Sequence, residues 1–268
     1  MVEFQRKDFY SYEDFLEIMR LLRAPGGCPW DREQTHSSIR RNFLEETYEV
    51  LDAIDHDDAS GMCEELGDVL MQVAFHAQIE AERGRFTMAN VVDGVARKLV
   101  YRHPHVFGDV QADTSQQVLA NWDVLKRREK GQRSTADAVE AVPRTLPALW
   151  RAEKIQSKTA KAGFDWTSSL QALDKLEEEV RELRAALEAG QAADAPHGIR
   201  EELGDTLFMA AKIAQMSGVD PEDALHRACD KFDRRFRAVE EAADKPLPEC
   251  GEAELLALWN DAKSHDPS

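Results

Sequence analysis

Leu44-Glu45-Glu46-Thr47-Tyr48-Glu49, followed by Glu64-Glu65-Leu66-Gly67-Asp68, decides how this chain folds. Residues three and four apart share one face of a helix, so Glu45, Glu46 and Glu49 form an acidic face. Leu44, Tyr48, Leu51 and Ile54 form the opposite, apolar face. The stretch after Asp68, Val69-Leu70-Met71-Gln72-Val73-Ala74-Phe75-His76-Ala77, is apolar almost all round and predicts a buried helix. Its polar residues Glu65, Asp68, Gln72 and His76 fall on a single line along the cylinder. Carboxylates on a buried helix are costly unless paired or bound to a cation. Two acidic faces brought together demand a cation, and oxygen-only ligands suit Mg²⁺, with Mn²⁺ as a substitute, better than zinc.

The pattern then recurs. Glu178-Glu179-Val180-Arg181-Glu182 repeats the first element, and Glu201-Glu202-Leu203-Gly204-Asp205-Thr206-Leu207 repeats the second. Lys98 and Arg102 correspond in spacing to Lys231 and Arg235, and Trp122 with Lys126 matches Trp259 with Lys263. Landmarks recurring in the same order identify a tandem duplication. The expected division is a first domain over 1–130, a polar, proline-marked linker over 131–147 and a second domain over 148–268.

The chain has 268 residues, room for two domains of ordinary size, and 43% hydrophobic residues, enough for real cores. A net charge of -17 argues against binding of nucleic-acid polymers, which needs a basic surface. A phosphate-bearing substrate would have to be drawn in by metal and by local Lys and Arg. Cys28, Cys63, Cys229 and Cys250 are scattered, without a Cys-x-x-Cys pair, and form neither a zinc framework nor a disulfide set. The N-terminus has no apolar signal core and no run approaches membrane-spanning length. These features predict a reduced, cytoplasmic protein that does not associate with membranes.

Helices are expected over 9–24, from a cap at Asp31 (capping box with Gln34) to about Ile54 as one helix or a pair, and onward to Gly84 after the loop at His56-Asp57-Asp58. Further helices are expected over 90–102, 116–130, 150–162, 169–189, 199–216 and 221–242, with a last short one carrying Trp259. His103-Pro104-His105 reads as a proline turn whose histidines cap rather than ligate. No β-alternation of any length occurs, so the predicted fold is all-α, with two tandem four-helix-bundle-like domains.

Neither a Gly-rich phosphate loop nor a nucleophile elbow is present. A ferritin-like di-iron site wants Glu-x-x-His on two helices, and only Glu33-Gln34-Thr35-His36 fits, outside the acidic faces. What remains is a carboxylate cage, nearby Lys and Arg, and an aromatic residue near the end of each repeat. Those are parts for a nucleotide polyphosphate: metal and cations on the phosphates, and a ring for the base.

The order Glu-Glu-x-x-Glu then Glu-x-x-Asp resembles MazG-type nucleoside triphosphate pyrophosphohydrolases. Cys28-Pro29-Trp30-Asp31, Arg102-His103-Pro104-His105-Val106-Phe107 and Lys154-Ile155-Gln156 look like that family as well. The resemblance implies hydrolysis of NTPs or dNTPs to the monophosphate and pyrophosphate, with Mg²⁺ required and nucleotide-pool housecleaning as the setting. Carried over to this chain, it implies metal ligands at Glu46, Glu49, Glu65 and Asp68, and at Glu179, Glu182, Glu202 and Asp205. Glu45 and Glu178 would orient or deprotonate the attacking water. Lys98, Arg102, Lys231 and Arg235 would bind phosphate, and Trp122 with Lys126 and Trp259 with Lys263 would meet base, ribose or phosphate. The family's bundles pair, so a homodimer is expected, and the C-terminal repeat is expected to carry the main activity. The other class these residues permit is a non-catalytic, partner-binding helical module that keeps the cage for stability. Magnesium-dependent turnover of a nucleoside triphosphate separates the two.

Overall fold

The computed structural model describes residues 2–190, 192–193 and 195–266, and all of Asp123 except its side chain. The described residues form helices and no strand. The chain divides into two compact units, Met1–Lys126 and Arg127–Ser268.

In the first unit α1 (Tyr12–Arg23) is opened by a capping box between Ser11 and Asp14. The short helix α2 (Pro29–Glu33) starts on a proline, which suits a first helical turn. Asp31 therefore lies inside α2 and Gln34 is its C-cap, so the expected capping box at these two residues does not form. The acidic hairpin follows as α3 (Arg40–Asp55) and α4 (Ala59–Glu82). Its turn is tight: Asp57 adopts φ 53°, and the Asp58 side chain accepts from the amides of Ser60 and Gly61 to cap α4. α5 (Met88–Arg102), α6 (Pro104–Phe107) and α7 (Ser115–Glu129) complete the series. His103 caps α5, and the segment expected as an irregular turn is the single helical turn α6.

α4 is the hub, packed against α1, α3 and α5. The core lies along its C-terminal half, where Ala74, Phe75 and Ile79 meet Met19 of α1 and Ile39. Leu70, in the stretch expected to be buried, is exposed, as are Leu66 and, on α3, Leu44, Tyr48, Leu51 and Ile54. Among the described residues α3 packs chiefly on α4, which leaves the apolar face of α3 exposed.

Residues 131–147, expected as a linker, contain α8 (Thr135–Glu140), which packs on α9 (Ala148–Ala160) and belongs to the second unit. Ala138 and Val142 are buried there. α10 (Ser169–Glu188) and α11 (Ile199–Met216) form the second acidic hairpin, followed by α12 (Pro221–Ala242), a 3-10 turn (Leu247–Glu249) and α13 (Glu252–His265). α11 takes the part of α4, contacting α9, α10 and α12, so the duplication extends to the packing. Residues 191 and 194 of the α10–α11 loop lie outside the described residues.

A buried cation fixes the entrance to the second hairpin. Lys212 on α11 is 1% exposed, and its Nζ lies 2.5 Å from Asp165 Oδ1 and 2.6 Å from Gln215 Oε1, with the Trp166 ring 5.9 Å away. Loss of Asp165 leaves a fully buried ammonium without its counter-ion, whereas loss of the Lys212 charge leaves a carboxylate that is 29% exposed and can be solvated. Asp165→Ala should therefore destabilise the protein by about 3 kcal/mol, while Lys212→Met should stay within about 1 kcal/mol. Urea denaturation of both variants checks this, and equal losses would show that the pair itself is not the source.

Candidate active site

The paired helices bring carboxylates together in each unit. Glu46, Glu49 and Glu65 place one oxygen each within 4.8 Å of the others, and Glu179, Glu202 and Asp205 do the same. Asp68 and Glu182, the remaining expected ligands, are close enough to perturb their neighbours. Burial, then the charge of Asp68, pushes the Glu46 carboxyl up. Burial, then the charge of Glu179, pushes Glu182 up. Glu65 rises through burial and Glu49, and Asp205 through burial and Glu179. Every ligand atom is a carboxylate oxygen, the donor set of a hard divalent cation. The raised pKa values are the penalty such a cation would remove, so both groups fit a divalent ion of the magnesium class.

The two clusters are not equal. In the first, Glu46 and Glu65 are half-buried and Glu49 is exposed, whereas Glu179 and Glu202 are each 6% exposed. The second cluster also contains a cation. Lys175 Nζ lies 2.8 Å from Glu178 Oε1 and 2.8 Å from Glu179 Oε1, and these two contacts raise its pKa. The longer α10–α11 loop brings His197 Nδ1 to 3.7 Å from Glu202 Oε1. Sequence reasoning missed both residues. Lys175 was legible from its spacing, since Lys175 to Glu178 and Glu179 is i to i+3 and i+4; His197 depends on a loop without local periodicity.

Glu45 accepts from Arg41 Nε at 2.8 Å and is exposed, one step round α3 from the cluster. Glu178 is lowered by its bond to Lys175, which makes it a weaker base than an ordinary glutamate. His76 does not join the first cluster. Its Nδ1 meets His36 Nδ1 at 2.7 Å, and His36 Nε2 lies 2.5 Å from Glu80 Oε1. This chain, with Arg85 also on Glu80, holds the Glu80 carboxyl down at about 2. It ties residues before α3 to α4.

The expected phosphate and base residues lie on α5 and α7, and on α12 and α13. Lys98 is exposed, while Arg102 is buried with its guanidinium 5.7 Å from the Trp122 ring, which His103 also meets edge-on at 5.0 Å. Lys126 is half-buried. In the second unit Trp259 packs against Phe232 at 5.2 Å, Lys231 is half-buried and Lys263 exposed. Arg235 Nε donates to Asp266 Oδ2 at 2.8 Å.

An all-α duplication whose helix hairpins each enclose a carboxylate cluster defines the class of all-α nucleotide pyrophosphohydrolases. The model of the MazG nucleotide pyrophosphohydrolase domain matches residues 34–107 and 167–239, which contain the two hairpins. The chain is 47% identical over 226 residues to the nucleoside triphosphate pyrophosphohydrolase of Escherichia coli (strain K12), covering 84% of this chain and 85% of that one. It is 41% identical over 258 residues to the nucleoside triphosphate pyrophosphohydrolase/pyrophosphatase MazG of Thermotoga maritima, covering 95% and 96%. It is also 43% identical to the uncharacterized protein YabN of Bacillus subtilis, spanning 52% of that longer protein. The chain belongs to the MazG nucleotide pyrophosphohydrolase family and is an enzyme of that class.

The raised carboxyls set the pH behaviour of the metal-free protein. A proton held more tightly in the folded state stabilises it fully below the unfolded values, 4.5 for Glu and 3.8 for Asp. That stabilisation is lost as pH rises through the raised native values of Glu46, Glu65, Glu182 and Asp205. Glu80 acts oppositely: its contribution is present above 4.5 and is lost as pH falls toward about 2. Melting temperature measured in chelator should therefore fall with rising pH above 4.5, and Mg²⁺ should restore it. A Glu46→Gln, Glu182→Gln double variant should flatten that limb; an unchanged limb would place the repulsion elsewhere.

Proposed function

We propose that this chain hydrolyses nucleoside triphosphates, NTP or dNTP, to the monophosphate and pyrophosphate with Mg²⁺ as its ion, and serves nucleotide-pool housecleaning in the cytoplasm. The observation that carries this reading is the carboxylate cluster in each hairpin, beside helices bearing Lys, Arg and Trp. Each unit acts as one MazG-type domain. A bound Mg²⁺ supplies positive charge to the phosphate oxygens. Glu46, Glu49, Glu65 and Asp68 hold it in the first unit, and Glu179, Glu182, Glu202 and Asp205 in the second. Glu45 and Glu178, at the rim, accept a hydrogen bond from the attacking water and orient it. The low pKa of Glu178 suits orientation better than lasting proton uptake. Lys98 and Arg102, and Lys231 and Arg235, meet the phosphates, with Lys175 as a further cation. Trp122 with Lys126 and Trp259 with Lys263 bound the base and ribose end.

The second unit carries the main activity. Its cluster is the more buried, and charges act more strongly where water is excluded. Glu49→Gln and Glu182→Gln, each removing one ligand charge, separate the units. Glu182→Gln should lower pyrophosphate release by about tenfold to a thousandfold, and Glu49→Gln by about twofold or less. The reverse ranking would move the activity to the first unit, equal halving would mean two working sites, and wild-type rates in both would remove the metal-ligand assignment.

The working form is a homodimer. Leu44, Tyr48, Leu51, Leu66 and Leu70 are exposed large apolar residues of the first hairpin, and Val180, Leu203 and Leu207 are exposed on the second. Exposed apolar residues of this kind on a helix pair support association with a second copy, which has the same residues to offer. A Leu66→Glu, Leu70→Glu double variant should shift sedimentation from dimer toward monomer with its helical content retained. A wild-type chain that sediments as a monomer would reject the dimer.

A further inference from the structure

The last helix is fastened by a carboxylate that the reaction above does not use. Asp266 is the C-cap of α13, its amide donating to Ala262 O, and its side chain is 10% exposed. Arg235 of α12, 13% exposed, donates Nε to Asp266 Oδ2 at 2.8 Å, while Arg234 Nε lies 3.6 Å from Oδ1. The contact thus joins the helix of Lys231 and Arg235 to the helix of Trp259 and Lys263. Arg235 uses Nε for this bond, and among the described residues its Nη groups make no other hydrogen bond. Those Nη groups are the part of a guanidinium that forks onto a phosphate. The same spacing occurs in the first repeat, where Glu129 follows Trp122 by seven residues as Asp266 follows Trp259.

We propose that Asp266 is a positioning residue: it holds Arg235 by Nε, so that the Nη groups are presented to the substrate phosphates, and it locks α13 to α12. This rests on the reading of Arg235 as a phosphate ligand. A guanidinium pinned at one nitrogen loses less rotational freedom when it meets an anion, so the carboxylate acts on substrate binding rather than on the chemical step. Charge neutralisation also keeps a largely buried Arg tolerable before substrate arrives.

The test measures KM and kcat for pyrophosphate release from a purine and a pyrimidine nucleoside triphosphate, in a full chain carrying Glu49→Gln so that the second unit is read alone. Asp266→Ala should raise KM about fivefold to tenfold with kcat within about twofold. Asp266→Asn should recover most of this, because its carbonyl accepts the same Nε hydrogen bond. In an Arg235→Ala background, Asp266→Ala should raise KM no further. A fall in KM on Asp266→Ala would overturn the proposal by making the carboxylate a competitor of phosphate. A further rise in the Arg235→Ala background would overturn it by showing that loss of Asp266 acts through fraying of α13. If Arg235→Ala raises KM and Asp266→Ala leaves it unchanged, this inference alone falls. If Arg235→Ala leaves KM unchanged, or Glu49→Gln removes all turnover, the functional assignment to Arg235 or to the second unit falls and takes this inference with it.

Discussion

Carboxylates facing one another across a helix hairpin are the constraint on which both units depend. Burial, and after it the mutual repulsion of oxygens within 4.8 Å of one another, lifts several of these groups above their ordinary pKa. The fold has to hold the two helices together against that force. In the first unit the stabilising and the acidic parts of α4 are separated along its length. The core residues Ala74, Phe75 and Ile79 lie beyond the acidic residues Glu65 and Asp68. The His36, His76 and Glu80 chain adds polar fastening at the core end. A helix anchored at one end can carry an unfavourable cluster at the other.

The second unit meets the same constraint with charge. Lys175 sits on Glu178 and Glu179, and His197 stands near Glu202, so positive or polarisable groups border the cluster from its own helix and from the loop. This permits deeper burial of Glu179 and Glu202 than the first unit gives its own carboxylates. Behind it, Lys212 and Asp165 fix the segment that leads into α10. Two copies of one hairpin have thus arrived at different electrostatic settings. The shallower cluster lies nearer to solvent, and the deeper one has the Lys175 ammonium beside it.

The aromatic residues follow a similar logic. Trp122 meets both the Arg102 guanidinium and the His103 ring, while Trp259 packs on Phe232. Each tryptophan joins its own helix to the preceding long one, so a ring near the end of each repeat serves the packing of the unit. Substrate contact and core packing are compatible here, since a partly exposed indole has two faces.

Helix identity, the acidic hairpins and the duplication were legible in the sequence, because 3.6-residue periodicity and the spacing of Glu and Asp are local properties of the chain. The spacing of Glu46, Glu49 and Glu65, and of Glu179, Glu202 and Asp205, was enough to place them on facing helices. Local pattern did not decide which apolar faces are covered. Leu44, Tyr48, Leu51 and Ile54 read as an apolar face and are exposed, because burial depends on whether another element lies opposite. It did not decide the partners of polar groups either. His76 shares a line with Glu65 and Asp68 but turns to His36, Asp31 lies inside a helix it was expected to cap, and Arg235 is held by Asp266 from 31 residues away. Periodicity sets which face a residue occupies; only the packing of distant helices decides what that face meets.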